Sequence, residues 1–339
     1  MKRPVLLFLI LIAIGILYSA WNIFGPVVSS KEKYFYIHTG SGYEQVKNDL
    51  LDKRIIPNAF FFDRIAKQVK YDKRIRPGRY EIKEGINLVN LVRMLKRGNQ
   101  APVKLVINKL RTKEDFAAKI GAGFETDSAA VMGYITSNDT LKQWHLDTNT
   151  VMTTVIPDTY EILWNTPFKK IFSRLRSEHE KFWNAERIYK SQKKKLTTTE
   201  VYTLASIVEE ETNQQEDKGL IASVYLNRLK KGMKLEADPT VKYAMRNFAL
   251  KRILHGHLDY PSAYNTYRNT GLPPGPIATP SSRTIDAVLD APETDYIFFV
   301  AKPDFKGRSN FAATYQEHLI FARAYQRALD SLILSKNQN

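Results

Sequence analysis

The chain has 339 residues, 43% hydrophobic and 25% charged, a balance typical of a folded globular protein rather than a disordered one. It contains no cysteine, which excludes disulfides, thiolate metal sites and a cysteine nucleophile. The formal net charge of +16 indicates either an anionic partner or a solvated basic surface. Because no basic run falls in a nucleic-acid-binding motif, we expect no nucleic-acid partner.

The first thirty residues contain an apolar segment. Lys2 and Arg3 precede Pro4–Trp21, a run of 18 residues that is just long enough to span a bilayer. The alternative is a cleaved signal peptide, although Tyr18-Ser19-Ala20 is a poor cleavage site. The poor cleavage site favours an uncleaved anchor, and the basic residues before the run predict a cytoplasmic N-terminus with everything after residue 30 outside.

Short strands alternate with short helices between residues 31 and 105. The strand patterns lie at Tyr34–His38, Arg79–Ile82 and Val103–Ile107, and the helical patterns lie at Tyr43–Leu51, Ala59–Val69 and Leu88–Gly98. This alternation predicts a compact α+β module. Further along, Asp127–Trp144 and Pro167–Lys190 have helical patterns, and Val155–Tyr160 between them is expected to be a loop.

Three consecutive glutamates end a helix that we expect to begin with a capping box at Thr197 and Glu200. At about 100° per residue they point in different directions. Glu210 falls opposite the apolar stripe and is predicted to be solvated, and Glu209 lies on one flank of the stripe. Glu211 lies on the other flank, between Leu204 and Ile207.

A carboxyl held beside apolar side chains is partly desolvated, which raises its pKa as a general acid near neutral pH requires. The flank position therefore makes Glu211 the candidate acid. The alternative is that all three glutamates are ordinary surface carboxylates at a helix end.

Two downstream segments are candidates for carbohydrate binding. Ala263–Tyr267 places tyrosines beside an asparagine, a combination suited to sugar rings and their amide groups, and the Pro/Gly-rich segment Gly271–Pro280 follows. The alternative is an aromatic-anchored structural loop. Asp238 precedes Pro239 at a helix start, where a role as helix cap alone would explain it. His255 and His257 lack a third clustered ligand, so we predict no metal site and no cofactor.

Several of these motifs together resemble the YceG-like (MltG) endolytic murein transglycosylases. The resemblance is carried by Ala205–Thr212, Asn227–Leu229, Ala237–Val241, Ala263–Tyr267, Gly271–Pro280 and Tyr296–Ala301, and it continues to His318. It is strong over residues 200–325 and weaker over the apolar segment, residues 77–98 and Pro157–Thr159. The family's catalytic glutamate falls on Glu211, in agreement with the helical angles.

The resemblance implies non-hydrolytic cleavage of the MurNAc–GlcNAc bond in nascent peptidoglycan strands, leaving 1,6-anhydroMurNAc ends. An internal nucleophile removes the need for the second carboxylate of ordinary glycosidases. We expect substrate contacts from six further residues: Asp158, Asp238, Tyr264, Asn265, Thr266 and Tyr267. Peptidoglycan strands are the expected partner, and cell-wall synthases are candidate partners.

This sequence departs from the family pattern at two places. Gly307–Phe311 lacks the histidine of the family's Gly-x-His motif, so any role of that histidine is lost or moved. Thr154–Ile156 replaces the acidic and aromatic residues that usually precede the Pro-Asp-Thr segment, which puts that wall of the cleft in doubt.

The sequence as a whole predicts an α+β protein in three parts. Residues 1–30 form a cytoplasmic tail and membrane anchor, residues 31–105 a LysM-like module, and residues 106–335 a helix-rich catalytic domain outside the cytoplasmic membrane. The rival hypothesis is a non-catalytic, membrane-anchored scaffold that binds peptidoglycan. A desolvated Glu211 favours the enzyme, because a scaffold needs no such carboxyl.

Overall fold

The structure is a computed structural model that describes the backbone of residues 3–337 and the side chains of residues 3–334. It is a mixed, helix-rich α+β protein. Its helices are α1 (Arg3–Phe24), α2 (Tyr43–Asp52), α3 (Ala59–Gln68), α4 (Leu88–Arg97), α5 (Lys113–Gly123), α6 (Ser128–Ile135), α7 (Asn138–Lys142), α8 (Phe168–Phe182), α9 (Ala185–Lys193), α10 (Thr198–Glu211), α11 (Gln215–Lys230), α12 (Asp238–Ala244), α13 (His255–Leu258), α14 (Ser282–Leu289) and α15 (Tyr315–Asn337).

Within the described part of the chain, six short strands form three two-stranded sheets, β1 with β2, β3 with β4 and β5 with β6. Their bounds are β1 (Tyr34–Ile37), β2 (Gly78–Glu81), β3 (Val103–Val106), β4 (Thr159–Ile162), β5 (Phe298–Ala301) and β6 (Ser309–Ala312). The chain divides into two compact units. The first comprises residues up to 105 with 121–127 and 160–167, and the second comprises residues 106–120, 128–159 and 168 onward.

The first unit confirms the predicted alternation of strands and helices up to β3. β1 and β2 pair antiparallel, with Tyr34 opposite Glu81, and α4 ends at Gly98, whose φ of 72° is the left-handed conformation that favours glycine. Buried side chains of both element types form one core; Phe35, Leu50, Phe62, Tyr80 and Leu91 are among its members. Among the described residues, α1 is the one helix long and apolar enough to cross a membrane, compatible with a single-pass anchor.

The second unit is built on α10, which packs against α11 and α14. The capping box predicted at Thr197 and Glu200 is present, and every residue from Val201 to Val208 is buried. A helix buried on all sides along this stretch holds its last turn firmly. The glutamates of that turn are therefore presented from a rigid element.

The two helices predicted at Asp127–Trp144 and Pro167–Lys190 are each divided into two shorter helices. The first breaks into α6 and α7, with the Ser137 side chain accepting a hydrogen bond from the Thr140 backbone at the new start. The second breaks into α8 and α9, where Asn184 caps α9 in the same way. In both cases a residue that favours helix caps interrupts an apolar pattern that continues past it. The expected loop is in part a strand, since β4 begins at Thr159.

Candidate active site

Glu211 is the last residue of α10, because Thr212 leaves the helix in an extended conformation. Its carboxyl lines a cavity of about 390 Å³ in the second unit. Tyr225 of α11, itself 1% exposed, donates a hydrogen bond of 2.6 Å from its hydroxyl to Oε1 of Glu211. The chain thus places a helix-end carboxyl against a buried phenol at the edge of an open space.

Burial raises the pKa of Glu211 to about 7, as the flank position predicts. The hydrogen bond from Tyr225 opposes this shift, and the nearby carboxylate of Asp238 adds to it. A carboxyl with a pKa near 7 is protonated in a large fraction of molecules at neutral pH. It can therefore give a proton and afterwards take one back.

The other walls of the cavity are aromatic and polar. Tyr267 and Asp238 lie on one wall, where the Tyr267 hydroxyl donates a 2.6 Å hydrogen bond to Oδ1 of Asp238. Residues from β5 and α15 form another wall: Phe298, Phe299, Tyr315 and His318. The buried Arg228 pairs with Glu236 at 2.9 Å. Both other carboxylates that line the cavity, Asp238 and Glu236, are thus engaged by a neighbouring side chain.

Glu209 lies on the flank opposite Glu211, as predicted, but in a different environment. Its Oε2 accepts hydrogen bonds from Lys218 at 2.9 Å, from Ser281 at 3.2 Å and from Thr284. Burial alone would raise the pKa of Glu209, but the hydrogen bonds from Thr284 and Lys218 outweigh it and lower that pKa. Glu209 is therefore the ionised half of a buried ion pair and a poor proton donor.

The prediction that Glu210 is solvated is wrong. Its side chain is 13% exposed and forms ion pairs with Lys109 at 3.0 Å and Arg111 at 3.1 Å. The helical angle was right, but a chain segment distant in sequence covers that face of α10. Helical periodicity carries no information about such a segment.

Two of the six predicted substrate contacts, Asp238 and Tyr267, line the cavity of Glu211. The interpretation of Asp238 as a helix cap is wrong: Ala237 holds the cap position, no side chain caps α12, and Asp238 is its first residue. Tyr267 comes from the predicted aromatic loop.

The middle of that loop is buried. Asn265 is 0% exposed; its Nδ2 donates to the carbonyls of Leu258 and Tyr260 at 2.8 and 2.9 Å, and its Oδ1 accepts from the Tyr267 backbone. Thr266 is 1% exposed, and its Oγ1 accepts a 3.0 Å hydrogen bond from the Ala237 backbone. Both side chains are thus buried and hydrogen-bonded within the protein rather than lining the cavity of Glu211.

Tyr264 and Asp158 also lie outside the walls of this cavity. Tyr264 packs on Tyr243 with ring centroids 4.8 Å apart, and its hydroxyl donates to Asn149 at 3.4 Å. Asp158 lines a second cavity, of about 300 Å³, together with Glu209. The substituted segment Thr154–Ile156 is buried, so it belongs to the core rather than to an open wall.

Several wall residues were missed by sequence reasoning. Tyr225 falls within the apolar pattern of α11, so nothing in its spacing separates it from a core residue. Arg228 lies within the Asn227–Leu229 motif but received no role of its own, and Tyr315 lies in no motif singled out in the sequence. Among the described residues no group of three or more histidine, aspartate or glutamate side chains could hold a metal ion, and Nδ1 of His257 accepts the Leu254 backbone N–H at 3.2 Å.

Comparison with known proteins places this site in a described family. The model of the YceG-like family matches residues 35–324. A protein of Bacillus subtilis named endolytic murein transglycosylase is 42% identical over 152 residues, which are 44% of this chain and 39% of that protein. One of the same name from Streptococcus pneumoniae is 26% identical over 94% of this chain and 64% of its own length. The matches thus span less than two thirds of either relative.

A solved structure shows the same fold. The crystal structure of a yceG-like protein of Listeria monocytogenes is 28% identical and superposes with a TM-score of 0.57, covering 84% of this chain and 97% of that one. The family match extends over most of the chain and includes all of the cavity-lining residues described above. The chain belongs to the YceG-like family.

Proposed function

We propose that this protein is an endolytic lytic transglycosylase of peptidoglycan and that Glu211 is its catalytic acid and base. The observation that carries the proposal is the single carboxyl with a raised pKa in a cavity whose other carboxylates are engaged. The names of the Bacillus and Streptococcus relatives support the reaction class and the murein substrate.

The reaction needs one proton donor and one internal nucleophile. Glu211 gives its proton to the glycosidic oxygen as the bond between C1 of MurNAc and that oxygen breaks. The C6 hydroxyl of the same MurNAc then bonds to C1, and the Glu211 carboxylate takes the hydroxyl proton. The products are a 1,6-anhydroMurNAc end and a free GlcNAc 4-hydroxyl, and Glu211 is again protonated. No water is consumed, which distinguishes the reaction from hydrolysis.

The hydrogen bond from Tyr225 orients Glu211 for both steps. Because Tyr225 donates to Oε1, the acidic proton resides on Oε2. Tyr267 and Asp238 contact the sugar on their side of the cavity in this proposal. Asn265 holds Tyr267 in place by accepting its backbone N–H, and Thr266 ties the same loop to the backbone of Ala237.

The proposed setting is the outer face of the cytoplasmic membrane. α1 is the anchor, the basic residues Lys2 and Arg3 at the start of the chain keep the N-terminus cytoplasmic, and the part after residue 30 lies outside. Residues 31–105 act as a LysM-like module, supported by their strand–helix alternation and shared core. Inverted membrane vesicles, whose cytoplasmic face is outward, test this orientation. Protease added to them should leave the chain after residue 30 intact, and cleavage of that part would contradict the orientation.

The reaction is tested with the full-length protein in detergent and purified peptidoglycan. Mass spectrometry of the products should show new 1,6-anhydroMurNAc ends that arise from cleavage at internal bonds of the strands. The scaffold alternative expects strand binding with no new ends. Ends that carry a free reducing sugar would instead show hydrolysis and contradict the proposed mechanism.

A further inference from the structure

Tyr315 is an exposed aromatic residue on the rim of the Glu211 cavity. Its side chain is 61% exposed, whereas the other aromatic residues of the cavity wall are buried or half-buried. An exposed tyrosine alone needs no explanation. Tyr315 differs because it is held in place beside a proposed catalytic carboxyl.

The start of α15 fixes the position of Tyr315. The Glu317 carboxylate accepts hydrogen bonds from the backbone of Ala313 at 3.1 Å and of Thr314 at 3.2 Å. In return, the Thr314 hydroxyl accepts the Glu317 backbone N–H at 3.2 Å. Tyr315 is the first residue of the helix that this reciprocal cap begins. The cap fixes the backbone that carries the ring, which reduces the conformational freedom lost when a ligand covers the ring.

The ring belongs to an aromatic wall. Tyr315 and His318 lie nearly parallel at an angle of 29°, with centroids 6.1 Å apart. His318 stacks on Phe298 at 28° and 5.2 Å. Burial and the nearby Arg228 lower the pKa of His318, which favours the neutral imidazole. The wall therefore presents flat aromatic faces to the cavity.

We propose that Tyr315 is a stacking platform for one pyranose ring of the glycan strand, adjacent to the bond at Glu211. The apolar C–H face of a pyranose ring matches an exposed aromatic face, while its hydroxyl edge stays in water. The proposal rests on the proposed function, because it takes the occupant of the cavity to be a glycan. It assigns Tyr315 a binding role through contact with the sugar, separate from the proton transfer at Glu211.

Binding is measured with the full-length protein carrying Glu211→Gln, so that strands are not cleaved. The probe is purified glycan strands from which the stem peptides have been removed. Tyr315→Ala should raise the Kd by roughly tenfold. Tyr315→Phe keeps the ring, so its Kd should stay within about twofold of the parent's. Tyr189→Ala is the matched control, since Tyr189 is 56% exposed on α9 and does not line this cavity; it should bind like the parent.

With Glu211 intact, Tyr315→Ala should raise KM more than it lowers kcat, as expected for loss of ground-state binding. A Tyr315→Ala protein that keeps its melting temperature and binds strands as tightly as the parent would overturn the platform. Equal weakening by Tyr315→Ala and Tyr189→Ala would also overturn it. If strands are bound but never cleaved by the unmodified protein, the proposed reaction fails, while a selective loss of binding in Tyr315→Ala still supports the platform.

Discussion

The hydroxyl of Tyr225 donates a 2.6 Å hydrogen bond to Oε1 of Glu211. The two residues lie on neighbouring helices, α11 and α10, that pack against each other. The bond favours the ionised carboxyl and so lowers its pKa, while burial raises the pKa by more. The pKa of Glu211 lies near 7 because these two effects oppose each other.

Tyr225→Phe should raise the pKa of Glu211 further, because it removes the hydrogen bond and keeps the burial. We expect the alkaline limb of kcat/KM to move to higher pH by up to about one unit. The measurement is a pH–rate profile on peptidoglycan strands. Tyr202→Phe is the control, since it removes a buried hydroxyl that donates to the Val155 carbonyl instead. An unmoved limb in Tyr225→Phe would show that the hydrogen bond does not act on the catalytic acid.

The raised pKa of Glu211 also predicts a pH dependence of stability. The pKa is about 7 in the folded protein against an ordinary 4.5, so the folded state binds the proton more tightly than the unfolded one. This contribution to the free energy of unfolding is complete below about pH 4.5 and is lost as pH rises through 7.

Glu211→Gln cannot ionise and should therefore gain stability relative to the unmodified protein between pH 5 and pH 8. The gain is at most about 3 kcal/mol, from roughly 1.4 kcal/mol per pKa unit. Urea unfolding at both pH values measures it. A stability difference that is the same at pH 5 and pH 8 would mean that the Glu211 pKa is not raised.

Glu209→Gln and Glu210→Gln should differ in stability. Glu209→Gln leaves the Lys218 ammonium, with a side chain 6% exposed, without its counter-charge, which should lower the free energy of unfolding by about 3 kcal/mol or more. Glu210 pairs with Lys109 and Arg111, whose side chains are 33% and 41% exposed. Glu210→Gln should therefore lower the free energy of unfolding by only about 1 kcal/mol. Thermal melts compare the two. Equal melting temperatures would contradict the structural role of Glu209.

Asn265→Ala should act through stability and Tyr267→Phe through activity. Asn265→Ala leaves the carbonyls of Leu258 and Tyr260 without their donor. This should lower the free energy of unfolding by about 1–3 kcal/mol. The second keeps the ring and removes only the bond to Asp238. We expect the activity of folded Asn265→Ala to approach normal and that of Tyr267→Phe to fall with an unchanged melting temperature. The reverse pattern would place the substrate contact at Asn265.

Local signals predicted much of this fold and part of the site. The capping box at Thr197, the glycine end at Gly98 and the flank position of Glu211 are all encoded within a few residues, and each is present. The helix breaks at Ser137 and Asn184 are also local, but the surrounding apolar pattern masks them.

Contacts between distant segments could not be predicted. Lys109 and Arg111 cover Glu210 from a segment about a hundred residues earlier in the chain, and Tyr225 reaches Glu211 from a different helix. A pattern of residue types along one chain does not specify which helices pack together. Asn265 illustrates the same limit, since an amide suited to sugars is equally suited to two backbone carbonyls.

Replacing the carboxyl of Glu211 tests the central claim most directly. Glu211→Gln keeps the shape and can still accept the Tyr225 hydrogen bond, but it cannot deliver a proton. Full-length Glu211→Gln should form 1,6-anhydroMurNAc ends at least about 100-fold more slowly than the unmodified protein, by mass spectrometry of digested strands. Glu210→Gln, measured in parallel, should retain most of the activity. Formation of anhydro ends by Glu211→Gln at the unmodified rate would contradict the assignment.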